Sequence, residues 1–400
     1  MDRVLHVNDY PADAGGGAEI VMERTVALLR QHGVTTDTFT SADLGPAWRT
    51  PWRYVDNAHA RRALAEKLTA FRPDVVHLHN FYHVLSPGIL ATLADFKRQN
   101  PLRVVMTAHD YHLACPNSGG SWFRFFTGRR EVIDPQRLGS PGYLLMRSWD
   151  QRGVWHSLLK LVQHAWSYRW QRRQSVIDLV LCPSRFLQRV LAPLGLPTTW
   201  LPHPVPPLPA RVIERTPSLQ VVFAGRIEPE KGLYELLTAW PADFPVRLTA
   251  IGAGADLARC RALAAARGFG ARVEFVGRLP HAETLARIAA AHVLVQPSRV
   301  LETYGLTLIE ALAFGTNLLA VDRGAAREIS ADAGVGFLYE LDDPHSLATQ
   351  LAAIRRRFEA GTLNRFDVVE FLAQRSEKRH VKAVLQIYEM RPTLFLRKAS

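Results

Sequence analysis

Val221-Val222-Phe223-Ala224-Gly225-Arg226-Ile227-Glu228-Pro229-Glu230-Lys231-Gly232 is the stretch whose reading decides the fold class. It opens as a short apolar run without polar alternation, the pattern of a strand covered on both faces of a mainly parallel sheet. Two glycines then bracket a loop, and a helix over Gly232–Trp240 follows. A buried strand that turns directly into a helix is the repeating unit of α/β architecture.

The same alternation extends outward in both directions. Downstream, strands are expected at Arg247–Ile251, Val273–Val276, His292–Gln296 and Leu318–Ala320, with helices at Asp256–Ala266, Glu283–Ala290 and Leu306–Ala313. Upstream, strands at Val4–Asn8, Val75–His79, Val104–Ala108 and Val176–Cys182 accompany helices at Glu19–Gln31 and from Arg185. Between the series lies Leu201–Arg211, where Pro202, Pro204, Pro206, Pro207 and Pro209 exclude a regular element and mark a linker. The reading is therefore a first unit over 1–205, a second over 206–375 and a tail over 376–400, with an apparent helix after Phe366 whose apolar contacts are Val369, Leu372, Val381, Val384, Leu385 and Tyr388. The expected fold is two Rossmann-like domains with a ligand cleft between them, where strand ends and helix N-termini meet.

Size and composition agree. The 400 residues suit two domains of roughly 150 to 200 residues each. Hydrophobic residues make up 48 % and charged residues 22 %, and no apolar run is long enough to span a membrane. The chain opens on the strand-like Arg3-Val4-Leu5-His6-Val7 and not on a secretory signal, so a cytoplasmic location is expected. Cys115, Cys182 and Cys260 are too few and too scattered for a disulfide framework. The formal charge is +12, and half of it sits in residues 140–190, where eight basic residues face two acidic ones. Such an excess attracts phosphates, acidic lipids or nucleic acid without choosing among them. No helix-turn-helix, zinc-finger or aromatic single-strand motif supports nucleic acid.

Several loops carry chemistry. Arg226 offers a fork of donors and Lys231 a mobile ammonium, a pairing suited to a diphosphate at the mouth of a sheet. The competing reading is a solvated turn whose cations balance Glu228 and Glu230. The second loop, Glu302-Thr303-Tyr304-Gly305-Leu306-Thr307-Leu308-Ile309-Glu310, follows the strand ending Val295-Gln296-Pro297-Ser298. Gly305 permits a tight strand-to-helix turn, and the helix N-terminus presents unpaired N–H groups and the positive end of its dipole to a phosphate. Glu302 lies before the turn and Glu310 more than one turn inside the helix, so the two carboxylates reach different parts of an extended ligand. Glu310 read blandly is a helix-surface glutamate, but its neighbours are strongly apolar. In the first half, Gly15-Gly16-Gly17 allows close approach of backbone amides or serves only topology. His109 follows its strand directly and is expected at the sheet edge. His109, His112 and Cys115 have no matching fourth ligand, so no metal site is expected.

Taken in order, these elements resemble the retaining GT-B glycosyltransferases of family 4, known also as glycosyl transferases group 1. Glu302 and Glu310 have that family's glutamate–seven residues–glutamate spacing, and Tyr304-Gly305 its aromatic–glycine step. Gly225-Arg226 with Lys231-Gly232, Gly15-Gly16-Gly17-Ala18-Glu19 and His109-Asp110 resemble its other elements. The resemblance implies a nucleotide-sugar donor, a UDP- or GDP-sugar, and no metal or organic cofactor, with the first unit on the acceptor side, the second holding the donor and the last helix crossing back to the first. Arg226 and Lys231 would hold the diphosphate, Glu310 the ribose hydroxyls, and Glu302 with the amides of Thr303, Tyr304, Gly305 and Leu306 the sugar and distal phosphate. Gly277 and Arg278 would frame the nucleobase. Gly16 and Gly17 would approach the reacting region, and His109 would orient the hexose by hydrogen bonding. It also implies a front-face route in which the acceptor hydroxyl approaches on the side that the diphosphate leaves.

A last segment points to the acceptor. A helix is expected near 156–175, with Leu158, Leu159, Val162, Trp166 and Trp170 along one side, Trp149, Trp155, Tyr143 and Tyr168 nearby, and Arg169, Arg172 and Arg173 close to its end. The pattern fits contact with an anionic membrane or a polyprenyl-diphosphate-linked acceptor, or else an amphipathic helix packed on the sheet. The function expected is a retaining hexosyltransferase of bacterial surface-polysaccharide biosynthesis, peripheral at the inner face of the cytoplasmic membrane. The alternatives are transfer to a small soluble acceptor and a basic nucleic-acid-binding protein.

Overall fold

The computed structural model describes residues 2–12, 16–45, 51–138, 140–205, 215–241, 244 and 246–390. Gly15 and the linker residues 206–211 lie outside them. The chain divides into two compact units, Met1–Pro204 with Arg375–Ser400, and Val205–Gln374.

The first unit contains strands β1 (Arg3–Val7), β2 (Thr35–Phe39), β3 (Val75–Leu78), β4 (Arg103–Thr107), β7 (Leu179–Cys182) and β8 (Thr198–Trp200). They form one parallel sheet in the order β2-β1-β3-β4-β7-β8. A small antiparallel pair, β5 (Ser121–Phe123) and β6 (Arg130–Val132), stands apart from it. The helices are α1 (Gly17–Gln31), α2 (Ala58–Phe71), α3 (Ile89–Gln99), α4 (Pro141–Leu145), α5 (Val154–His164) and α6 (Arg185–Leu191). Four strands of this sheet contribute apolar residues to one face. Val4, Val75, Val105, Leu179 and Leu181 pack there with Val381, Val384 and Tyr388 of the last helix, α14 (Glu377–Glu389). Arg24 pairs with Glu377, and His380 Nδ1–H donates to the Pro202 carbonyl at 2.9 Å. The helix α14 is therefore part of the first unit's core.

The second unit holds β9 (Gln220–Ala224), β10 (Arg247–Ile251), β11 (Val273–Gly277), β12 (Val293–Gln296), β13 (Asn317–Val321) and β14 (Phe337–Tyr339). Its order is β11-β10-β9-β12-β13-β14, again all parallel. The helices are α7 (Leu233–Ala239), α8 (Leu257–Ala266), α9 (His281–Ala290), α10 (Leu306–Ala313), α11 (Gly324–Ala333), α12 (Pro344–Glu359) and α13 (Val369–Ala373). The chain starts at β9, builds outward to β10 and β11, then returns to β12 on the other side. That reversal is the point at which open α/β sheets bind ligands.

Three expectations need correction. The helix expected near 156–175 is α5, continued only by a π-helical turn to Trp170; Arg172 then turns left-handed at φ 48°. The strand expected from Val176 begins at Leu179, because Arg173–Val176 forms a 3-10 turn. The apolar tail run after Phe366 splits at Gln374 into α13 and α14, with Val369 exposed. His109 lies two residues past the end of β4, an interior strand, as its place directly after a strand implies.

Candidate functional site

In the second unit, the loops after β9 and β12 meet at the reversal point. Arg299 N–H donates to the Glu230 carbonyl at 2.8 Å. Gly232, at φ 72°, lies so close to Pro297 that a Cβ would strike its carbonyl oxygen. This contact, with the left-handed backbone, explains a glycine there. Lys231 Nζ donates to Glu302 Oε1 at 2.8 Å, and Ser298 Oγ–H donates to the same oxygen at 2.8 Å. Burial opposes charge on Glu302, yet Lys231, Ser298 and the more distant Arg226 together hold its carboxyl below the ordinary carboxylate range. Arg226 is 68 % exposed and reaches Glu230 at 3.2 Å. It balances a neighbouring acid, as the solvated-turn reading requires, while its guanidinium stays accessible.

Beyond Glu302, Tyr304 is buried in the apolar cluster around Leu308, Ile309 and Leu312. Gly305 adopts φ 73° and α10 begins after it with no side-chain cap. Thr303 and Leu306 are half-buried beside the helix entry. Glu310 is buried, which removes the helix-surface reading, and its Oε1 lies 3.0 Å from His281 Nε2 at the start of α9. Gly277 stands at the end of β11 with φ 86°, and Arg278 beside it is exposed.

Two features here are absent from the sequence reading. Gly252 and Gly254 follow β10, and a Cβ on either would strike the Gly225 or Ile227 carbonyl. Gly225 and Ile227 in turn donate N–H bonds to Ile251 and Ala253 at 3.0 and 2.9 Å. The glycine–alanine–glycine run after a strand was the available signal. His281, the partner of Glu310, gave no pattern of its own.

Replacing Lys231 by methionine should expose the electrostatics of this loop. The wild-type carboxyl of Glu302 has a lowered pKa, so its pairing stabilises the fold fully above the ordinary carboxylate value. That stabilisation fades as pH falls through the lower, folded-state value. In the variant, burial acts on Glu302 unopposed by the ammonium. The expected loss is about 1–2 kcal/mol at neutral pH, below the ~3 kcal/mol of breaking a fully buried pair because both groups are partly solvated. Denaturant melts of both proteins should converge as Glu302 takes up its proton; a pH-independent gap would remove the pairing argument.

In the first unit, Gly16 is the residue before α1, and Gly17 begins that helix with open space around the position of a Cβ. Asn8, at the end of β1, donates from Nδ2 to Glu19 Oε1 at 2.9 Å, and its Oδ1 accepts from Asn80 N–H at 3.0 Å. His109 is half-buried, and its Nε2 lies 2.9 Å from His79 Nδ1. Burial lowers its pKa to about 3, so its ring is neutral near neutral pH. His112 and Cys115 do not gather with it. Among the described residues, the three groups close enough to share an ion are instead His6, His77 and His79. Both ring nitrogens of His77 and of His79 are already hydrogen-bonded, to Tyr388 and Thr107, and to His6 and His109.

The aromatic segment is built inside out. Along α5 and the following turn, Ser157, Gln163, His164, Ser167 and Tyr168 are buried. Gln163 Nε2 donates to the Tyr82 carbonyl at 2.9 Å, and Ser157 Oγ accepts from Trp149 N–H at 2.7 Å. The apolar stripe faces outward: Val154, Leu158, Val162 and Trp166 are exposed, with Trp155 at 82 % and Trp170 at 79 %. Val162, Ala165, Trp166, Arg169 and Trp170 line a surface groove of about 510 Å³. Arg169 and Arg172 are exposed. Four expected contributors do not reach this surface. Trp149 is fully buried, its indole N–H bonded to the Leu144 carbonyl at 2.7 Å, and Tyr143 and Tyr168 are buried too. Arg173 is buried and pairs with Asp56 at 2.9 Å, so it closes the turn and is withdrawn as a contact for acceptor or membrane.

Comparison with known proteins covers both units. The family profile described as glycosyltransferase family 4 matches residues 15–207, and that of glycosyl transferases group 1 matches 209–356. A phosphatidyl-myo-inositol mannosyltransferase of Mycobacterium tuberculosis (strain CDC 1551 / Oshkosh) is 37 % identical over 138 residues, 33 % of this chain and 35 % of that protein. A D-inositol 3-phosphate glycosyltransferase of Corynebacterium urealyticum is 28 % identical over 200 residues, 47 % of this chain and 45 % of its own. The chain thus spans under half of the length of either relative. Among solved structures, sucrose-phosphate synthase from Thermosynechococcus elongatus superposes with a TM-score of 0.69 at 18 % identity, covering 97 % of this chain and 98 % of its own. The Anabaena protein HepE, in complex with UDP and glucose, gives 0.63 at 16 %, covering 97 % and 99 %. These likenesses establish a double Rossmann-like GT-B fold.

Proposed function

Because the chain belongs to the GT-B glycosyltransferases of group 1 and family 4, we propose that it transfers a hexose, with retention, from a UDP- or GDP-sugar to an acceptor hydroxyl. The observation that carries this reading is the convergence of Arg226, Lys231 and Glu302 at the sheet's reversal point, beside the uncapped start of α10. Two cations and a helix N-terminus offer a diphosphate three sources of positive potential without a metal ion. Lys231 and Arg226 take the diphosphate and stabilise its charge as it leaves. Glu302 and the Thr303–Leu306 amides hold the sugar and distal phosphate. Glu310 accepts from the ribose hydroxyls, and Gly277 and Arg278 border the base. In the first unit, Gly16 and Gly17 bring amides toward the reacting region and His109 orients the sugar. The bond from the anomeric carbon to the phosphate oxygen breaks as the acceptor oxygen bonds on the same face. The acceptor proton passes to the departing phosphate oxygen. Supplying UDP- and GDP-hexoses in turn and reading product mass and anomeric configuration by NMR tests this; no product from any donor, or inverted product, would refute it.

The acceptor of this proposal is lipid-linked and phosphorylated, met at the inner face of the cytoplasmic membrane. Its support is the outward stripe of Val154, Trp155, Leu158, Val162, Trp166 and Trp170 beside the exposed Arg169 and Arg172. Each basic residue near an anionic surface contributes about 1 kcal/mol, enough jointly with the tryptophans for reversible association. Vesicle co-sedimentation should rise with anionic lipid, fall with salt, and weaken when Arg169 and Arg172 become serine or Trp155 and Trp170 become alanine. Equal binding to neutral and anionic vesicles at every salt level, or none, would leave the soluble-acceptor alternative, in line with relatives such as the D-inositol 3-phosphate glycosyltransferase.

A further inference from the structure

A row of imidazoles crosses the first unit's sheet behind His109. His6 on β1 stands in register opposite His77 on β3, and His79 lies two residues beyond it on the same face. Their rings lie roughly parallel to one another, with centroids 4.6 to 5.5 Å apart, and His109 stacks on His79 at 5.2 Å. Two nitrogen–nitrogen contacts link three of them. His6 Nδ1 lies 3.2 Å from His79 Nε2, and His79 Nδ1 lies 2.9 Å from His109 Nε2. Burial lowers every pKa in the chain, that of His6 to about 3, so each ring is neutral and carries one proton and one lone pair.

Neutral rings joined in this way have only two arrangements, and the end of the chain selects between them. His6 Nε2 is buried with no hydrogen-bond partner among the described residues. If His109 donated toward His79, each ring would pass its proton inward and leave a buried N–H stranded at His6 Nε2. In the opposite arrangement only a lone pair is left there. Stranded buried N–H groups are the rarer and costlier of the two. We infer that His6 and His79 are positioning residues that fix the tautomer of His109: His6 Nδ1–H donates to His79 Nε2, His79 Nδ1–H donates to His109 Nε2, and His109 carries its proton on Nδ1. His77 stands outside this chain, because its nitrogens meet Tyr388 Oη at 2.6 Å and Thr107 Oγ1 at 2.7 Å. Thus arranged, His109 is a hydrogen-bond donor with its remaining lone pair already occupied, and it serves the reaction by orienting and not as a general base.

The inference rests on the proposed transferase reading for its consequence, but its geometry is tested without any substrate. The full chain is labelled with nitrogen-15 at histidine, His109 is assigned by its loss in His109→Gln, and long-range proton–nitrogen spectra report the tautomer. The expected result is a single Nδ1-protonated His109 with scalar coupling from its Nε2 to His79 Nδ1. An Nε2-protonated ring, or an exchange-averaged one, overturns the inference whatever the enzyme's activity. With a donor that wild type turns over, His79→Phe should lower kcat about tenfold with little change in KM, a modest share of what a wrong tautomer costs a histidine-dependent enzyme. The variant His79→Asn, whose amide N–H replaces the lost donor, should recover most of that loss. Unchanged kcat in the phenylalanine variant, or no recovery in the asparagine one, also overturns it. Absence of turnover in wild type with every nucleotide sugar would defeat the transferase reading and leave the spectrum to decide the tautomer.

Discussion

Alanine at Lys231 is expected to lower kcat about 100-fold, the scale on which removing one preorganised charge partner, about 3 kcal/mol, acts on a leaving group. Lys231 is held at 2.8 Å from Glu302, so its ammonium is already in place before donor arrives and needs little ordering. Glu310→Ala should cost at least tenfold, chiefly in KM for the donor, because a ribose is bound alike in ground and transition states. Neither loss should reflect unfolding. Lys231 lies in a partly solvated loop, and alanine at position 310 is a strong helix former placed among Leu308, Ile309 and Leu312. Circular dichroism melts measured beside initial rates separate the two effects. Wild-type rates in either purified variant would remove that residue from the site.

The parts of this molecule most legible in its sequence were those whose signal is local. Buried parallel strands such as Gln220–Ala224 and Arg247–Ile251 announce themselves as unbroken apolar runs, and α10 by the glycine that starts it. The edge strand β2, Thr-Thr-Asp-Thr-Phe, is polar along most of its length, so no hydrophobic pattern marks it. The inside-out helix α5 shows the limit of periodicity. Its apolar stripe is plain in the sequence, but periodicity gives the stripe and not the side that faces inward, which Gln163, His164 and Ser157 settle through hydrogen bonds to distant backbone and neighbouring turns. Arg173 illustrates the same point for charge: a basic cluster is visible in sequence, whereas the partner Asp56, over a hundred positions earlier, belongs to the fold alone. The histidine row is equally non-local. His6, His79 and His109 sit on three separate strand ends, and only the parallel register brings them together.

Removing the tail should have the largest effect on stability. A chain ending before Ser376 loses Val381, Val384 and Tyr388, all buried, from the face formed by Val4, Val75, Val105, Leu179 and Leu181. Stripping a single large aliphatic or aromatic side chain from a core costs roughly 2–5 kcal/mol, and a whole domain is stable by only about 5–15 kcal/mol. Three such losses at once, with the strand face left open to water, should leave the first unit unfolded or aggregated. The histidine row would also lose its cover, since Tyr388 Oη is the partner of His77 Nδ1 at 2.6 Å. Single substitutions grade the effect. Val384→Ala should cost about 1–3 kcal/mol, less than a leucine truncation because fewer methyl groups are lost. Tyr388→Phe keeps the packing and removes one buried hydrogen bond, so about 1 kcal/mol is expected. Expression level, denaturant midpoint and the near-ultraviolet dichroism of the truncated chain decide the matter. A truncated protein with wild-type midpoint and spectrum would show that α14 rests on the first unit without belonging to its core.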